Sequence, residues 1–585
     1  MKILLVHPDD SPVEGPWSRS HWDYVIDLGW AGGAAYHDWE RQMGCPVRGF
    51  YGFAGGPEDF RRIADILRPG RGILVDDCGL DWWEILAPLR SLELLNVVIV
   101  KRILPEIASA EIFCTRSHPI ANLLAKAAGR DIRMIQLRNQ SALREKLQRI
   151  RLVAALLSPA QIFQIVLDKW DMDYRLRSRV VRLPSPASRS SVLLPSSYSN
   201  VTRMLNAYAK LLPQTEFSLV TTRQNGVTAG LAANVRTTSL ANFAPAVISD
   251  SIRREVRSLE HGWSRLLDGP LRANQEIAWA TDSGWFADIG RSFERWLRVR
   301  EAWRHVLSVE RISAVLCADE NNPMNRLPVL LARNLKLPTV HCDHGALNAL
   351  LPLRTPACDH YLVKGEMERE FMSRTFLVKA DRITVGAPEE PFADGSEPGS
   401  TQKGTSNCAG AIVFFSEQYE LTLGRTEILY KQVLPGLCAI ARSRGSRVIV
   451  KLHPFESLTS RRRLLRQVLS KEDWRQVSLV TGALTGEFLA GIWFAVTVES
   501  SVAVDCASRG LPCFLCSWFV PPLAGYEKQF VRHGAARSLE SPEQIGKIPE
   551  LLEDFRITPE IQRGLWSPIT PARLEALLSN SRGLD

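Results

Sequence analysis

The 585-residue sequence lacks the signatures of several large protein classes. No stretch of about 18 residues is both apolar and free of charge, so no transmembrane helix is predicted. The apolar run after Met1 is too short for a signal peptide and predicts a first β-strand. The chain has no GxGxxG after that strand, no GxxxxGK followed by Ser or Thr, no HExxH and no GxSxG. These absences argue against a dinucleotide fingerprint, a P-loop, a zinc-protease helix and a nucleophile elbow.

Cysteine follows no regular spacing among its 11 positions. Cys513 and Cys516 form a CxxC, but no second CxxC or histidine pair accompanies them, so we predict no metal site. We interpret the pair as small buried side chains in a strand. Scattered cysteines suit a reducing compartment, and we expect a cytoplasmic protein.

The net charge is a mild +9 spread over a long chain rather than gathered in a basic tail. This distribution predicts no nucleic-acid partner. It is compatible with an anionic substrate or an anionic membrane surface, and equally with neutral partners.

Strand and helix signals alternate through most of the chain, which predicts α/β domains with parallel sheets. We expect two Rossmann-like domains preceded by an additional N-terminal α/β domain. The predicted ranges are 1–140 for the N-terminal accessory domain, 141–190 for a basic helical connector, 191–395 for a domain with a helical insert, and 405–585 for a domain with a helical tail.

The accessory domain has five predicted short strands. They are Lys2–Val6, Tyr24–Leu28, Gly72–Val75, Val97–Val100 and Ile112–Thr115.

Two predicted strands of the last domain end in residues that suit a phosphate. One is followed by His453-Pro454 and the other by Glu499-Ser500-Ser501. Ligands of open parallel sheets bind outside the carboxyl ends of the strands. Serine hydroxyls and free N–H groups at a helix start can face a phosphate, and an imidazolium at His453 can offset leaving-group charge. The alternative is a strand-end histidine and an ordinary serine N-cap.

Two further residues belong to the predicted donor-binding set. Lys451 would add positive charge if its side chain points toward His453, although alternation along the strand can aim it elsewhere. Glu417 follows the first strand of the last domain, and its alternative role is in an ordinary turn.

The predicted catalytic residues lie in the middle domain, where carboxylates and an imidazole follow two strands. They are Asp319, Glu320, Asp343 and His344. A transferase needs a base near the acceptor hydroxyl, and these groups can serve. Gly345 lets the backbone approach a ligand closely. The alternative for Asp319 and Glu320 is a solvated loop.

From about Ser191 to Tyr526 the chain resembles a clan of bacterial GT-B glycosyltransferases that includes sialyl-, polysialyl- and Kdo transferases and teichoic-acid glycerophosphotransferases. The resemblance rests on His453-Pro454, Ser500-Ser501, Asp343-His344-Gly345 and Val385-Gly386-Ala387-Pro388. It implies a GT-B arrangement of the two Rossmann-like domains, in which the His-Pro and Ser-Ser motifs hold the donor phosphate. The chain departs from the sialyltransferases at Asp319-Glu320-Asn321, because their acidic pair is followed by Gly.

Three functions fit these observations. The first is transfer of a sugar, or a sugar-like phosphate group, from a CMP-, CDP- or UDP-linked donor to a surface polysaccharide or glycolipid acceptor. The second is a nucleotide-sugar epimerase or hydrolase, and the third is a non-catalytic polysaccharide-assembly protein. No cofactor is predicted beside the nucleotide-sugar substrate.

The basic connector carries apolar runs between clusters of arginine and lysine. One interpretation is a peripheral contact with the anionic inner membrane, where lipid-linked acceptors are found. The other is that the apolar residues pack between domains while the arginines are solvated.

Overall fold

Three sheets of parallel strands, alternating with helices, make up the computed structural model of the chain. This confirms the predicted α/β class with Rossmann-like domains and a further sheet at the N-terminus. The structure describes residues 1–107, 109–129, 133–136, 190–223, 230–245, 247–345, 353–388, 410–417, 419, 425–453, 456–482, 484–523 and 525–579. The connector predicted at 141–190 therefore lies outside the described residues, apart from residue 190.

The N-terminal sheet has five strands in the order β3-β2-β1-β4-β5. Its strands are β1 Lys2–Val6, β2 Tyr24–Asp27, β3 Val47–Gly49, β4 Glu111–Cys114 and β5 Arg133–Gln136. The helices of this part of the chain are His37–Met43, Pro57–Leu67, Trp82–Leu86, Ser91–Ile107 and Pro119–Ala128.

Two predicted strands of this region are wrong. Residues 72–74 form a turn and a bend, and Val97–Val100 lies inside the helix Ser91–Ile107. Apolar side chains on nearly every side of that helix are buried, so the segment shows no helical period in its hydrophobicity. A short apolar run of this kind cannot be told from a buried strand by pattern alone.

The middle sheet has seven strands in the order β12-β11-β10-β9-β6-β7-β8. They are β6 Ser191–Ser196, β7 Phe217–Thr221, β8 Val235–Ser239, β9 Ile312–Cys317, β10 Thr339–Cys342, β11 His360–Val363 and β12 Ile383–Val385. Its helices are Ser199–Lys210, Pro323–Asn334 and Glu366–Thr375, together with the predicted helical insert, which comprises Asp250–Asp268, Gln275–Asp282, Ala287–Gly290 and Phe293–Val309.

The third sheet has six strands in the order β15-β14-β13-β16-β17-β18. They are β13 Ala411–Phe415, β14 Val448–Lys451, β15 Val477–Val480, β16 Ile492–Thr497, β17 Cys513–Cys516 and β18 Arg537–Leu539. The helices that follow β13 are Thr426–Arg444, Leu458–Val468, Lys471–Gln476, Gly486–Ala490, Val502–Ser508, Glu527–Arg532, Ile548–Leu551, Pro559–Leu565 and Pro571–Ser579. Cys513 and Cys516 are buried in β17, as the sequence predicted.

The chain forms two compact units. The first comprises the described residues of Met1–Asp59, Asn96–Phe163 and Asp394–Gln562, and the second those of Phe60–Leu95, Gln164–Ala393 and Arg563–Asp585. The first unit thus joins the N-terminal and third sheets, whose buried side chains form one hydrophobic core.

The end of the chain packs in the second unit rather than with the third sheet. Leu574, Leu577 and Leu578 of the last helix join the core of the middle sheet. The apolar face of this helix is thereby removed from water by a sheet that lies far from it in the sequence. The last helix of the predicted helical tail, Pro571–Ser579, therefore belongs with the middle sheet.

Candidate active site

All three sheets reverse their strand order beside their first strand, and polar residues gather at each reversal. In the middle sheet β6 lies between β7 and β9, and in the third sheet β13 lies between β14 and β16. Crevices for ligands open at such points because the connections leave to opposite sides of the sheet. The predicted catalytic and donor-binding residues follow strands at these two positions.

In the middle sheet, Tyr198, Asp319 and His344 meet at the carboxyl ends of β6, β9 and β10. The Tyr198 hydroxyl donates to Asp319 Oδ2 at 2.7 Å and lies 3.4 Å from His344 Nε2. Burial, followed by the charge of Asp319, raises the pKa of Tyr198 well above its usual range. The Tyr198 hydroxyl therefore keeps its proton and can act as a donor.

The tautomer of His344 follows from its contact with the backbone. Its Nδ1 lies 2.6 Å from the carbonyl oxygen of Ala318, which can only accept, so Nδ1 carries the proton. In the neutral ring Nε2 then holds a lone pair and faces the Tyr198 hydroxyl. Because the side chain is 22% exposed, a bound hydroxyl group can reach the ring. His344 is thus arranged to accept a proton.

Asp343 and Glu320 have other surroundings. The buried Asp343 accepts at Oδ1 from the Gly345 N–H at 3.0 Å, which fixes the turn that carries His344. Glu320 is fully buried and accepts from the Tyr361 hydroxyl at 2.8 Å and the Ala357 N–H at 3.2 Å. Asp343 thus supports the turn that carries His344, whereas Glu320 lies in the interior of the domain.

In the third sheet, Glu456 holds the backbone at His453. Its Oε2 accepts from the His453 N–H at 2.6 Å, and its Oε1 accepts from the Ser416 hydroxyl at 2.8 Å and from Arg461 Nε at 2.6 Å. Burial, followed by the charge of Lys451, lowers the pKa of His453. The surroundings of His453 therefore favour its neutral imidazole, which can still donate a hydrogen bond, over the imidazolium expected from the sequence. Pro454 lies outside the described residues.

Lys451 is buried, and its ammonium donates to the Gly482 carbonyl at 2.5 Å. Its charge is close enough to contribute to the lowered pKa of His453. The positive charge predicted at this strand end is thus present beside the histidine, while the ammonium itself is held by a neighbouring loop.

Glu417 connects the ends of β13 and β16. Its Oε1 accepts from the Thr497 hydroxyl and from the Glu499 N–H, each at 3.2 Å. The Ser500 hydroxyl accepts from the Val502 N–H at 3.4 Å, whereas the Ser501 side chain forms no capping bond to the helix that follows. The predicted strand-end loop is thus held by a carboxylate, and Ser500 rather than Ser501 caps the helix start.

The carboxyl groups around this loop have pKa values raised above the ordinary range of glutamate. Desolvation raises the pKa of Glu417 to about 7. Desolvation, followed by repulsion from Glu417 and Glu527, raises the pKa of Glu499 to about 8, although the residue is exposed to solvent. Burial also raises the pKa of Glu527. Near neutral pH the loop therefore carries less negative charge than its three glutamates suggest.

Three residues of these sites were not predicted. Tyr198 follows β6 directly, so the rule that polar residues at strand ends face the crevice could have identified it. Glu456 lies three residues beyond His453, and Glu527 begins a short helix. No sequence motif marks Glu456 or Glu527, because their contacts in the site form only when the chain folds.

Within the described part of the chain, no three His, Cys, Asp or Glu residues are grouped so as to hold a metal ion. None of the helices in that same part is long and apolar enough to cross a membrane.

No model of a known protein family matches the chain, and no curated protein matches its sequence. Among solved structures, a UDP complex of Staphylococcus aureus MnaA is 11% identical and covers 66% of this chain and 92% of its own, with a TM-score of 0.38. The Neisseria meningitidis UDP-GlcNAc 2-epimerase bound to UDP-GlcNAc is 13% identical and covers 67% and 100%, with a TM-score of 0.38. The calicheamicin glycosyltransferase CalG4 is 12% identical and covers 67% and 96%, with a TM-score of 0.34. Similarities of this size transfer no function to this chain.

Proposed function

We propose that the protein is a cytoplasmic GT-B-type glycosyltransferase that moves a sugar, or a sugar-like phosphate group, from a nucleotide-activated donor to a bacterial surface polysaccharide or glycolipid. The observation that carries the proposal is the arrangement of Asp319, Tyr198 and His344 at one strand-order reversal. A fixed tautomer with an accessible lone pair is what deprotonation of an acceptor hydroxyl requires.

In the proposed sugar transfer, the acceptor oxygen bonds to the anomeric carbon of the donor sugar. The bond from that carbon to the donor phosphate oxygen breaks, and its electron pair leaves with the nucleotide. The acceptor proton moves to Nε2 of His344. The resulting N–H can donate to the Tyr198 oxygen, while the Tyr198 hydroxyl donates to Asp319 and stabilises the imidazolium.

The leaving phosphate is assigned to the third sheet. The hydroxyls of Ser500 and Ser501 and the ring of His453 would donate to it, and the nearby ammonium of Lys451 would offset its charge. Protonation of Glu417 and Glu499 near neutral pH would reduce repulsion of the anion. We assign a CMP-, CDP- or UDP-linked sugar as the donor, and no cofactor is needed for this reaction.

The experiment is a donor screen with the full chain, because glycosyltransferases transfer donor sugar slowly to water. CMP-, CDP- and UDP-linked sugars are incubated with the protein, and both the released nucleotide and the remaining nucleotide sugar are identified. We expect nucleotide release from one class of donor, accelerated by a saccharide acceptor and lost in His344→Ala.

Two results would overturn the proposal. Conversion of the donor into its epimer, with acceptors having no effect, would establish the epimerase alternative. Thermal stabilisation by a nucleotide without any turnover would favour a non-catalytic assembly protein.

A further inference from the structure

A groove lined by both polar and apolar side chains lies in the first unit, and one of its lining residues, Arg461, pairs with the Glu456 that holds the backbone at His453. One wall is the loop Pro8–Glu14, which follows β1 at the reversal of the N-terminal sheet between β1 and β4. The opposite wall is formed by the start of the helix Thr426–Arg444 and by the helix Leu458–Val468. The N-terminal sheet thus has a crevice of its own where a parallel sheet is expected to bind a ligand.

The crevice is held open by buried contacts at the strand ends. The His7 N–H donates to Thr115 Oγ1 at 3.0 Å, which joins the ends of β1 and β4. Asp10 accepts from Arg116 Nε at 2.7 Å, and Arg425 forms a buried ion pair with Asp27. These contacts fix the loop and the first turn of the opposing helix, so the walls are formed before a ligand arrives.

The size of the groove suits a chain rather than a single small molecule. The crevice has a volume of about 740 Å³, and a second concavity of about 500 Å³ shares Asp38, Lys431 and Gln432 with it. The two lie along the helix His37–Met43. Each falls within the range of small-molecule pockets, and the shared residues make the two concavities neighbours, so that an extended ligand could contact both.

Pairing cancels most of the charge on the groove walls. Asp10 is paired with Arg116, Arg425 with Asp27, Arg461 with Glu456, and Lys431 with Glu427. Acidic residues remain in slight excess among the lining side chains. A polyphosphate, a nucleic acid or an acidic polysaccharide would need an excess of basic side chains in the groove instead.

The neutral side chains of the walls match a ligand rich in hydroxyl groups. Ser11, Gln42, Ser460 and Gln467 offer hydroxyls and amides that both donate and accept hydrogen bonds. Trp39 adds a half-buried aromatic ring. The Arg425 guanidinium lies over this ring, 5.2 Å from its centroid, so the part of the ring that stays exposed supplies the apolar contact area to the C–H face of a sugar.

We propose that this groove binds a neutral oligosaccharide as a second, non-catalytic saccharide site. The inference rests on the proposed function, because the natural occupant would be an earlier part of the same acceptor chain. A second point of attachment would raise the effective concentration of the acceptor without changing the reacting residues.

The test is binding of neutral hexasaccharides to the full chain, with a hexamer of N-acetylglucosamine and maltohexaose as probes and a heparin hexasaccharide as the anionic comparison. Titration calorimetry at millimolar probe should detect a neutral hexamer. Trp39→Ala should weaken that binding about tenfold, and Gln467→Ala by about threefold. Arg462→Ala is the matched control, since Arg462 is exposed on the same helix as Gln467 but does not line the groove.

The proposal is overturned if neither neutral hexamer binds, if Trp39→Ala and Gln467→Ala both leave binding unchanged, or if only the heparin hexasaccharide binds. Because Trp39→Ala removes a packed side chain, Gln467→Ala provides a second variant at an exposed position. Donor hydrolysis is measured in the same variants and should stay unchanged. Hydrolysis without hexamer binding would refute the groove alone, whereas hexamer binding without hydrolysis would refute the transferase alone.

Discussion

The middle and third sheets share one strand order around their first strands but carry different chemistry at the reversal. In the middle sheet a tyrosine hydroxyl lies between a carboxylate and an imidazole whose tautomer is fixed by the backbone. In the third sheet, carboxylates hold the backbone on either side, at His453 and at Glu499. The same edge of the same topology therefore presents a proton-accepting ring nitrogen in one case and carboxylate-held backbone loops in the other.

The comparison shows that strand order predicts where a ligand binds, whereas side-chain contacts decide what the site can do. His344 and His453 both follow strands, yet their surroundings differ. His344 has a fixed tautomer and solvent access, while burial and Lys451 favour the neutral form of His453. Substitutions at the two sites should accordingly differ in how much they lower turnover and in whether they weaken nucleotide binding.

The largest loss is expected from His344→Ala. Removing the proposed base should lower kcat/KM by about 10²- to 10⁴-fold, while thermal stabilisation by the donor nucleotide stays as in the parent protein. Initial rates of transfer and a thermal-shift titration measure the two effects. His261→Ala is the control, because His261 is exposed on the helix Asp250–Asp268. Turnover close to that of the parent protein in His344→Ala would show that the middle sheet does not supply the base.

A smaller loss is expected at the third sheet. His453→Ala and Ser501→Ala should each remove about 2–4 kcal/mol of transition-state stabilisation, because each would delete one donor to the leaving phosphate. Unlike His344→Ala, these variants should also weaken nucleotide binding. Ser478→Ala, at an exposed position of β15 in the same sheet, is the control for folding. If both site variants bind and turn over normally, the phosphate lies elsewhere.

Strands of the two later sheets were largely predictable from the sequence. Phe217–Thr221, Ile312–Cys317 and Ala411–Phe415 are short apolar runs of the kind that predicts a strand. The edge strands β8 and β18 have no such run, because their residues are largely half-exposed. The edge strand Val477–Val480 does carry apolar residues, so the sequence pattern follows apolar content, and tertiary contacts decide where that content is missing.

The sequence predicted the positions of the candidate site residues that directly follow strands, but not the contacts of their side chains. The position of His344 after a strand was visible in the sequence, but its tautomer depends on the Ala318 carbonyl of another strand. Glu320 shows the reverse case, because two adjacent carboxylates at a strand end look alike until one of them pairs with Tyr361 in the interior. Side-chain direction and long-range pairing are fixed only by the fold.

Tyr198→Phe should have a moderate effect on kcat. The hydroxyl would help stabilise the charged ring of His344, so its loss should lower kcat by roughly tenfold with little change in nucleotide binding. Combination with Asp319→Asn should cost less than the sum of the two separate losses, since both remove one connected set of hydrogen bonds. Tyr361→Phe is the matched control, because that hydroxyl donates to the buried Glu320 and its removal should lower Tm without changing kcat. Fully additive losses would show that Tyr198 and Asp319 act independently of each other.

The smallest effect is a dependence of donor binding on pH. Glu417 and Glu499 have pKa values raised to about 7 and about 8, so both are largely protonated at about pH 6 and largely ionised at about pH 9. Ionisation places two negative charges beside the proposed phosphate site, and donor affinity should fall several-fold across this interval. A nucleotide sugar is the suitable probe, because its phosphate diester does not titrate there.

Glutamine substitutions should show how much each of the two carboxyl groups contributes to the pH dependence of donor affinity. Glu417→Gln should remove the lower transition of the affinity profile and, by removing the repulsion that raises the pKa of Glu499, move the remaining transition to lower pH. Glu487→Gln, at an exposed position on a nearby helix of the same domain, should leave the profile unchanged. Stability supplies an independent check. A carboxyl whose folded pKa is raised stabilises the fold below its ordinary pKa, and that contribution is lost as the pH rises through about 7 for Glu417. Glu417→Gln should therefore lose less of its free energy of unfolding between about pH 5 and pH 8 than the parent protein does. A donor-affinity profile that is flat in the parent protein would show that these carboxylates do not face the phosphate, and the third sheet would then differ from the middle sheet in position as well as in chemistry.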